Sequence, residues 1–158
     1  MSGTSPISPP PSLSDDDARD LRLIARLMVP PDGLSGLPGA DDDVIFADIM
    51  ASLGLDQDAV RVTLADIRRH GMSAPLADLD TPEAGALVDA WRKENHAAAM
   101  LLTRAIVQCY YRDDRVLRSL GVEPRPPFPL GHTLEEIDTW TLLDDVRARG
   151  RIWRDASS

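Results

Sequence analysis

The chain has 158 residues, a formal net charge of −9 and hydrophobic residues at 43% of its positions. This length and composition are typical of one soluble globular domain with a hydrophobic core. The acidic balance argues against a nucleic-acid-binding protein, because contacts with phosphates need a basic surface. A single cysteine excludes an internal disulfide, and no apolar run is long enough for a membrane span.

The N-terminal half of the sequence predicts helices in succession. Residues 1–13 are rich in serine and proline and are predicted to form a disordered arm. A first helix is predicted to begin after Ser14, a good N-cap residue followed by three aspartates, and to end before Pro30. Two more helices are predicted at about 42–53 and 56–70, because hydrophobic residues recur there with helical spacing.

The C-terminal half predicts one long helix and then an irregular segment. The long helix begins at Thr81 and carries a single apolar stripe as far as Cys109. A short helix ends at Gly121, a second is predicted at 141–148, and the prolines between them exclude regular structure. We therefore predict an all-α fold, a small bundle of about five helices with an irregular Pro-rich C-terminal arm. The predicted domains are a disordered arm, a helical domain and a partner-binding arm: 1–13, 14–121 and 122–158.

The residues suited to catalysis or ligand binding do not form a recognisable motif. Three glycines from Gly33 to Gly39 follow a helix and not a strand, so they indicate a turn and not a dinucleotide-binding loop. The three histidines are scattered and predict no metal site. Cys109 lies on the apolar stripe, where a cysteine usually behaves as a small hydrophobe. An enzyme with Cys109 as nucleophile is therefore the weakest of the candidate functions, and we expect no cofactor in this chain.

Aromatic and arginine side chains are concentrated towards the C-terminus, although aromatic residues make up only 4% of the chain. Tyrosine, tryptophan and arginine are enriched at interface hot spots, and a Pro-rich backbone is already restricted before it binds. The same arm could instead wrap back onto the helices of the chain, and the two interpretations are compatible. The predicted partner-binding residues are Tyr110, Tyr111, Arg115, Arg125, Pro127, Phe128, His132, Trp140 and Trp153.

Three stretches of the sequence carry a family resemblance. The first, LMVPPDGLSGLPGADDDVIFADIM, has a helix ending in proline, a Pro-Gly-Ala loop and a second helix with spaced hydrophobic residues. The second, LDTPEAGALVDAW, is a helix start. The third, YYRDDRVLRSLGVEPRPPFPLGH, has paired tyrosines, an aspartate, a Leu-Gly helix stop and a Pro-rich ending. In this order the stretches resemble the gluconate 2-dehydrogenase subunit 3 family, over about residues 20–132.

The resemblance implies a non-catalytic small subunit that stabilises a large flavoprotein subunit of the glucose-methanol-choline oxidoreductase type. That large subunit would bind FAD and oxidise an alcohol group of a sugar, polyol or glycoside, and the two chains would form a hetero-oligomer. The family offers no catalytic residues to carry over to this chain, and the residues themselves predict no cofactor-binding or metal-binding site. A free-standing helical adaptor or regulator, which binds another protein through its C-terminal arm, is the alternative from a different class.

Some members of the family carry a twin-arginine signal and escort the large subunit to the periplasm. This sequence departs from that pattern, because its N-terminal residues contain neither an apolar signal core nor a twin-arginine pair. We therefore expect a cytoplasmic protein, with export together with the partner to the periplasm as the alternative.

Overall fold

The computed structural model describes residues 13–71, 75–125, 131 and 143–150. The chain divides into two compact units, Met1–Pro124 and Arg125–Ser158. The described residues form seven α-helices and, besides one isolated bridge, no β-structure, so the predicted all-α fold is confirmed. None of the helices in these ranges has the length and apolar composition needed to cross a membrane.

The helices follow one another with short connections. Those of the first unit are α1 Asp15–Met28, α2 Asp43–Ser52, α3 Gln57–Gly71, α4 Thr81–Glu94, α5 His96–Tyr110 and α6 Asp114–Ser119. Single turns of 3-10 helix at Gly54–Asp56 and Leu76–Asp78 precede α3 and α4. In the second unit the described residues form α7, Asp144–Ala148.

The start of α1 is fixed by a capping box. The Ser14 hydroxyl accepts a hydrogen bond from the Asp17 amide at 3.1 Å, and the Asp17 carboxylate accepts one from the Ser14 amide at 3.3 Å. Leu13 is only 8% exposed and belongs to the core, because an apolar residue just before an N-cap packs against the first turns of its helix. Leu13 is the one residue of the predicted disordered arm that the structure describes, and residues 1–12 lie outside the described residues.

The prediction of a single long helix from Thr81 to Cys109 is wrong, because two helices, α4 and α5, occupy this range and meet at Asn95. Asn95 has φ −121° and ψ 49°, and its side-chain Nδ2 donates a hydrogen bond to the Trp91 carbonyl oxygen at 3.0 Å. Asparagine side chains that bond to a nearby backbone group compete with helical hydrogen bonds. The break lets α4 pack against α3 while α5 packs against α2. The first unit consequently contains one helix more than the bundle of about five that we predicted.

The helices of the first unit share one hydrophobic core. Helices α2 and α5 are antiparallel, since Arg112 pairs with Asp48 whereas Arg104, earlier in α5, pairs with Asp56 beyond the end of α2. Helices α3 and α4 are linked by the Trp91 indole, which donates to the Asp66 carboxylate at 2.8 Å. The largest fully buried side chains are Trp91, Leu21, Ile24, Ile45, Ile49, Leu64, Ile67, Leu76, Ile106, Val60 and Val116.

A buried ion-pair network joins α1, α3 and the 3-10 turn before α4. The Arg68 guanidinium donates to Asp20 at 2.6 Å and to Asp17 at 2.7 Å, and the Asp20 carboxylate also accepts from the Ala77 amide at 2.9 Å. Asp20 is completely buried and Asp17 is 5% exposed. These charges are buried only because each finds partners of opposite charge or backbone donors.

Candidate functional site

Helix α5 ends in the tyrosine pair that the sequence singled out, and its two rings occupy different environments. Tyr110 is 6% exposed, and burial raises the pKa of its phenol above the usual value. Tyr111 is 52% exposed, and its ring meets the Tyr110 ring edge to face, with centroids 5.3 Å apart and planes at 81°. An edge-to-face contact of this kind is favourable. Tyr110 therefore supports the fold, and Tyr111 offers the larger aromatic surface to a partner.

Arg115, another predicted partner contact, binds α6 to the start of α2. Its Nη2 donates to Asp42 at 2.7 Å and to Asp113 at 2.9 Å. Both aspartates are N-caps, since Asp42 accepts from the Val44 amide of α2 and Asp113 accepts from the Arg115 amide of α6. The Arg115 hydrogen bonds hold the pKa values of both carboxyls below their usual range. Arg115 thus helps to shape this surface through contacts within the chain.

Arg112 makes a similar set of contacts with a carboxylate farther along α2. Its Nε and Nη2 donate to the Asp48 carboxylate at 3.1 and 2.6 Å, and Nη2 also donates to the Ser52 hydroxyl at 2.7 Å. The Cys109 sulfur lies 3.7 Å from the same Nη2. Sequence reasoning missed Arg112 and Asp48, because they are 64 positions apart and neither lies in a recognisable motif.

A cleft of about 420 Å³ lies between α2, the C-terminal end of α5 and the start of α6. Its lining residues are Val44, Ile45, Asp48, Cys109, Arg112, Asp113 and Asp114. Cys109 is 2% exposed, and burial raises the pKa of its thiol, which favours the protonated form over the nucleophilic thiolate. No histidine is among the described residues that line this cleft. The arrangement is suited to contact with a partner through Val44, which is 65% exposed, and through fixed charges.

The remaining predicted site residues are placed as follows. Arg125 is the first residue of the second unit. His96, expected in mid-helix, is the first residue of α5, and both His70 and His96 are exposed. Within the ranges that the structure describes, no group of three or more side chains could hold a metal ion. Five predicted partner contacts lie outside the described residues: Pro127, Phe128, His132, Trp140 and Trp153.

The glycine-containing loop between α1 and α2 is a turn, as the sequence indicated. Asp32 and Leu37 exchange two backbone hydrogen bonds, at 3.0 and 3.1 Å, and Gly36 has the positive φ of 69° that a turn of this type requires. Leu34, at the tip of this turn, is fully exposed. The turn therefore adds a projecting apolar side chain to the surface of the first unit.

Two of the three stretches that carry the family resemblance meet at this site. Arg112 and Arg115 belong to the third stretch, and their carboxylate partners Asp48 and Asp42 belong to the first. The part of the third stretch that follows α5 therefore contacts α2 and its N-cap, which belong to the first stretch. In comparisons with known proteins, no family model, no curated protein and no solved structure matches this chain.

Proposed function

We propose that this chain is a non-catalytic small subunit that binds and stabilises a large FAD-dependent dehydrogenase acting on sugars, polyols or glycosides. The observation that carries the proposal is the pairing of Arg112 and Arg115 with Asp48 and Asp42. This pairing holds the described beginning of the third resembling stretch against α2 and its N-cap, which belong to the first.

The surface at the end of α5 has the physical properties of a preformed binding site. The Tyr111 ring is supported by Tyr110, and the turn after it is fixed by the Asp113 cap and the Arg115 ion pairs. A rigid aromatic side chain loses little conformational entropy when it is buried against a partner. A subunit that binds only the folded form of the large chain stabilises that form by mass action.

The buried state of Cys109 supports a role without chemistry in this chain. Its thiol is the most nucleophilic group at the site, yet it lies beneath the Arg112 guanidinium and within the core cluster. In the proposed complex, FAD and the reacting groups belong to the large subunit. This chain contributes contact area, charged side chains and a preformed surface to the interface with the large subunit.

The proposal is tested by purifying the tagged full chain from its source cells and measuring the flavin bound per tagged chain. Tyr111→Ala should weaken the complex by about tenfold or more, because truncating a buried aromatic anchor typically costs ~2 kcal/mol of binding. Leu55→Ala is the matched control, since Leu55 is fully exposed but lies in the turn between α2 and α3. The control should recover as much flavoprotein as the parent chain.

The alternative, a free-standing helical adaptor, gives a different result in the same experiment. A stable complex with a partner that contains no flavin, and that is weakened by Tyr111→Ala, would favour the adaptor. A complex in which Tyr111→Ala abolishes turnover per bound flavin without loss of assembly would mean that this chain takes part in the chemistry.

A further inference from the structure

A second surface contains a groove along α1, α4 and α5 that is lined by both apolar and charged side chains. Two clefts, of about 470 and 320 Å³, share Arg92 and Thr103 in their walls. The other lining residues are Leu27, Met28, Gly85, Val88, Asp89, Lys93, His96, Ala99 and Met100. Met100 is 52% exposed and Met28 is half-buried. Methionine is over-used at surfaces that bind other proteins, because its side chain adapts to the shape of an apolar partner.

Lys93, at the edge of this groove, makes no ion pair with any described residue, whereas the arginines of the first unit are all paired. Every arginine between residues 13 and 124 lies within 4.0 Å of an aspartate carboxylate. Lys93, the only lysine of the chain, is the one Lys or Arg side chain in the described part of this range that makes no such pair. His96 and the Arg92–Asp89 pair, at 2.8 Å, lie beside Lys93. The charged residues that line the two clefts are the cations Arg92 and Lys93 and the anion Asp89, so this edge is locally positive in a chain of net charge −9.

Gly85 keeps the floor of the groove open. A methyl group in its place would meet only the Leu27 Cδ2, at 3.7 Å, which is an ordinary van der Waals contact. Packing therefore does not require glycine here. Glycine within a helix also lowers stability by about 1 kcal/mol relative to alanine, so helix propensity does not favour it either. The absence of a side chain at this position preserves the space between α1 and α4.

We propose that this groove binds an acidic amphipathic helix of a partner protein, independently of the function proposed above. The apolar face of that helix would pack on Val88, Ala99 and Met100, and its carboxylates would meet Lys93, because Arg92 is already paired with Asp89. A helix is favoured over an extended peptide because the described residues offer no sheet edge for strand addition, whereas an apolar groove between helices accepts i, i+4 and i+7 side chains.

The test is selection of helix-forming peptides from a displayed library on the immobilised full chain, followed by fluorescence anisotropy with one selected synthetic peptide. Selected peptides should carry Asp or Glu beside apolar residues at i, i+4 and i+7. Met100→Glu, Lys93→Glu and Gly85→Leu should each weaken binding about tenfold or more, the size expected for loss of a central contact. Leu55→Glu, at an exposed leucine that lines neither cleft, is the control and should change binding by less than about twofold.

Circular dichroism of each variant establishes that the helices are retained, and a charge exchange supplies a second readout. The selected peptide with its Glu residues replaced by Lys should bind Lys93→Glu better than it binds the parent chain. Selection of peptides without acidic bias, selection of none, or equal binding to parent and groove variants would each overturn the proposal. A dimer of this chain that dissociates on Met100→Glu would overturn it as well, because the occupant would then be a second copy.

Discussion

Arg68 connects three elements of the fold through two buried carboxylates. Replacing it with methionine keeps most of the side-chain volume but leaves Asp20, which is completely buried, with only the Ala77 amide as partner. Breaking a buried ion pair in this way costs about 3–5 kcal/mol. We therefore predict that Arg68→Met lowers the free energy of unfolding by about 3 kcal/mol or more in urea titrations.

The matched control for that change is Arg69→Met, one position along the same helix. Arg69 is 70% exposed and pairs with Asp66, so it represents a surface ion pair of the weak kind. Its loss should cost less than about 1 kcal/mol. Equal destabilisation by the two substitutions would contradict the role assigned to the buried network.

Asp17 gives the same network a dependence on pH. Burial opposes its ionisation, but hydrogen bonds from Ser14 and Arg68 outweigh burial and lower its pKa below the usual 3.8. A carboxyl with a lowered pKa in the folded state stabilises the fold above its unfolded pKa, and this stabilisation is lost as the pH falls through the folded pKa. We predict that the free energy of unfolding of the parent falls below about pH 4 more steeply than that of Asp17→Asn.

Urea titrations of the two proteins across that acidic range measure the difference directly. The contrast should disappear when the comparison is repeated with an exposed aspartate, as in Asp58→Asn, because Asp58 pairs with Arg61 on the surface of the described part of the chain. Parallel pH profiles for the parent and Asp17→Asn would argue against a native-state shift at Asp17.

At the scale of elements, two helical glycines should respond in opposite ways to alanine. A methyl group at Gly71 would overlap the Leu87 Cδ1 and would lie 2.9 Å from Leu87 Cγ, where α3 ends against α4. Overpacking of this kind typically costs about 1–3 kcal/mol. At Gly85 the added methyl finds room, so higher helix propensity should raise stability by about 0.5–1 kcal/mol.

Thermal and urea unfolding of Gly71→Ala therefore tests the α3–α4 packing, and that of Gly85→Ala tests the space between α1 and α4. Pairing Gly71→Ala with Leu87→Ala should recover part of the loss, because the smaller side chain removes the overlap. Equal destabilisation by Gly71→Ala and Gly85→Ala would contradict the prediction that only Gly85 has room for a methyl group.

The break between α4 and α5 shows that hydrophobic spacing alone does not predict where a helix is interrupted. Asn95 occupies a position on the apolar stripe, so the spacing from Leu87 to Cys109 is that of one helix. Asparagine lacks the strong signal of proline or glycine, and its effect depends on the hydrogen bond to the Trp91 carbonyl. By contrast, the start of α1 was predictable because Ser14 and Asp17 make local contacts.

Much of the surface at the end of α5 also depends on distant pairs. The sequence singled out Tyr111 and Arg115 by residue type, but it could not show that Arg115 would pair with Asp42, 73 positions away. Nor could it show that Tyr110 would be buried while its neighbour remained exposed, because that difference depends on the packing around the end of α5. Local signals predict caps and faces, whereas long-range ion pairs need the folded chain.

At the scale of the whole molecule, the role proposed for this chain is that of a subunit of a flavoprotein. A chain with exposed Tyr111, Val44 and Leu34 on its first unit has apolar surface available for a partner. We predict that the isolated chain is less soluble and less stable to heat than the assembled complex, because a partner that binds the folded state raises its apparent stability. Light scattering and thermal unfolding of the chain alone and in the complex measure this difference.

The most direct measurement is the amount of FAD recovered with the tagged chain from its source cells, together with dehydrogenase turnover per flavin. The account predicts a flavoprotein in fixed ratio to the tagged chain, oxidation of a sugar, polyol or glycoside, and loss of complex but unchanged turnover per flavin in Tyr111→Ala. Recovery of the chain without any flavoprotein, under conditions in which it is folded and expressed, would contradict the account.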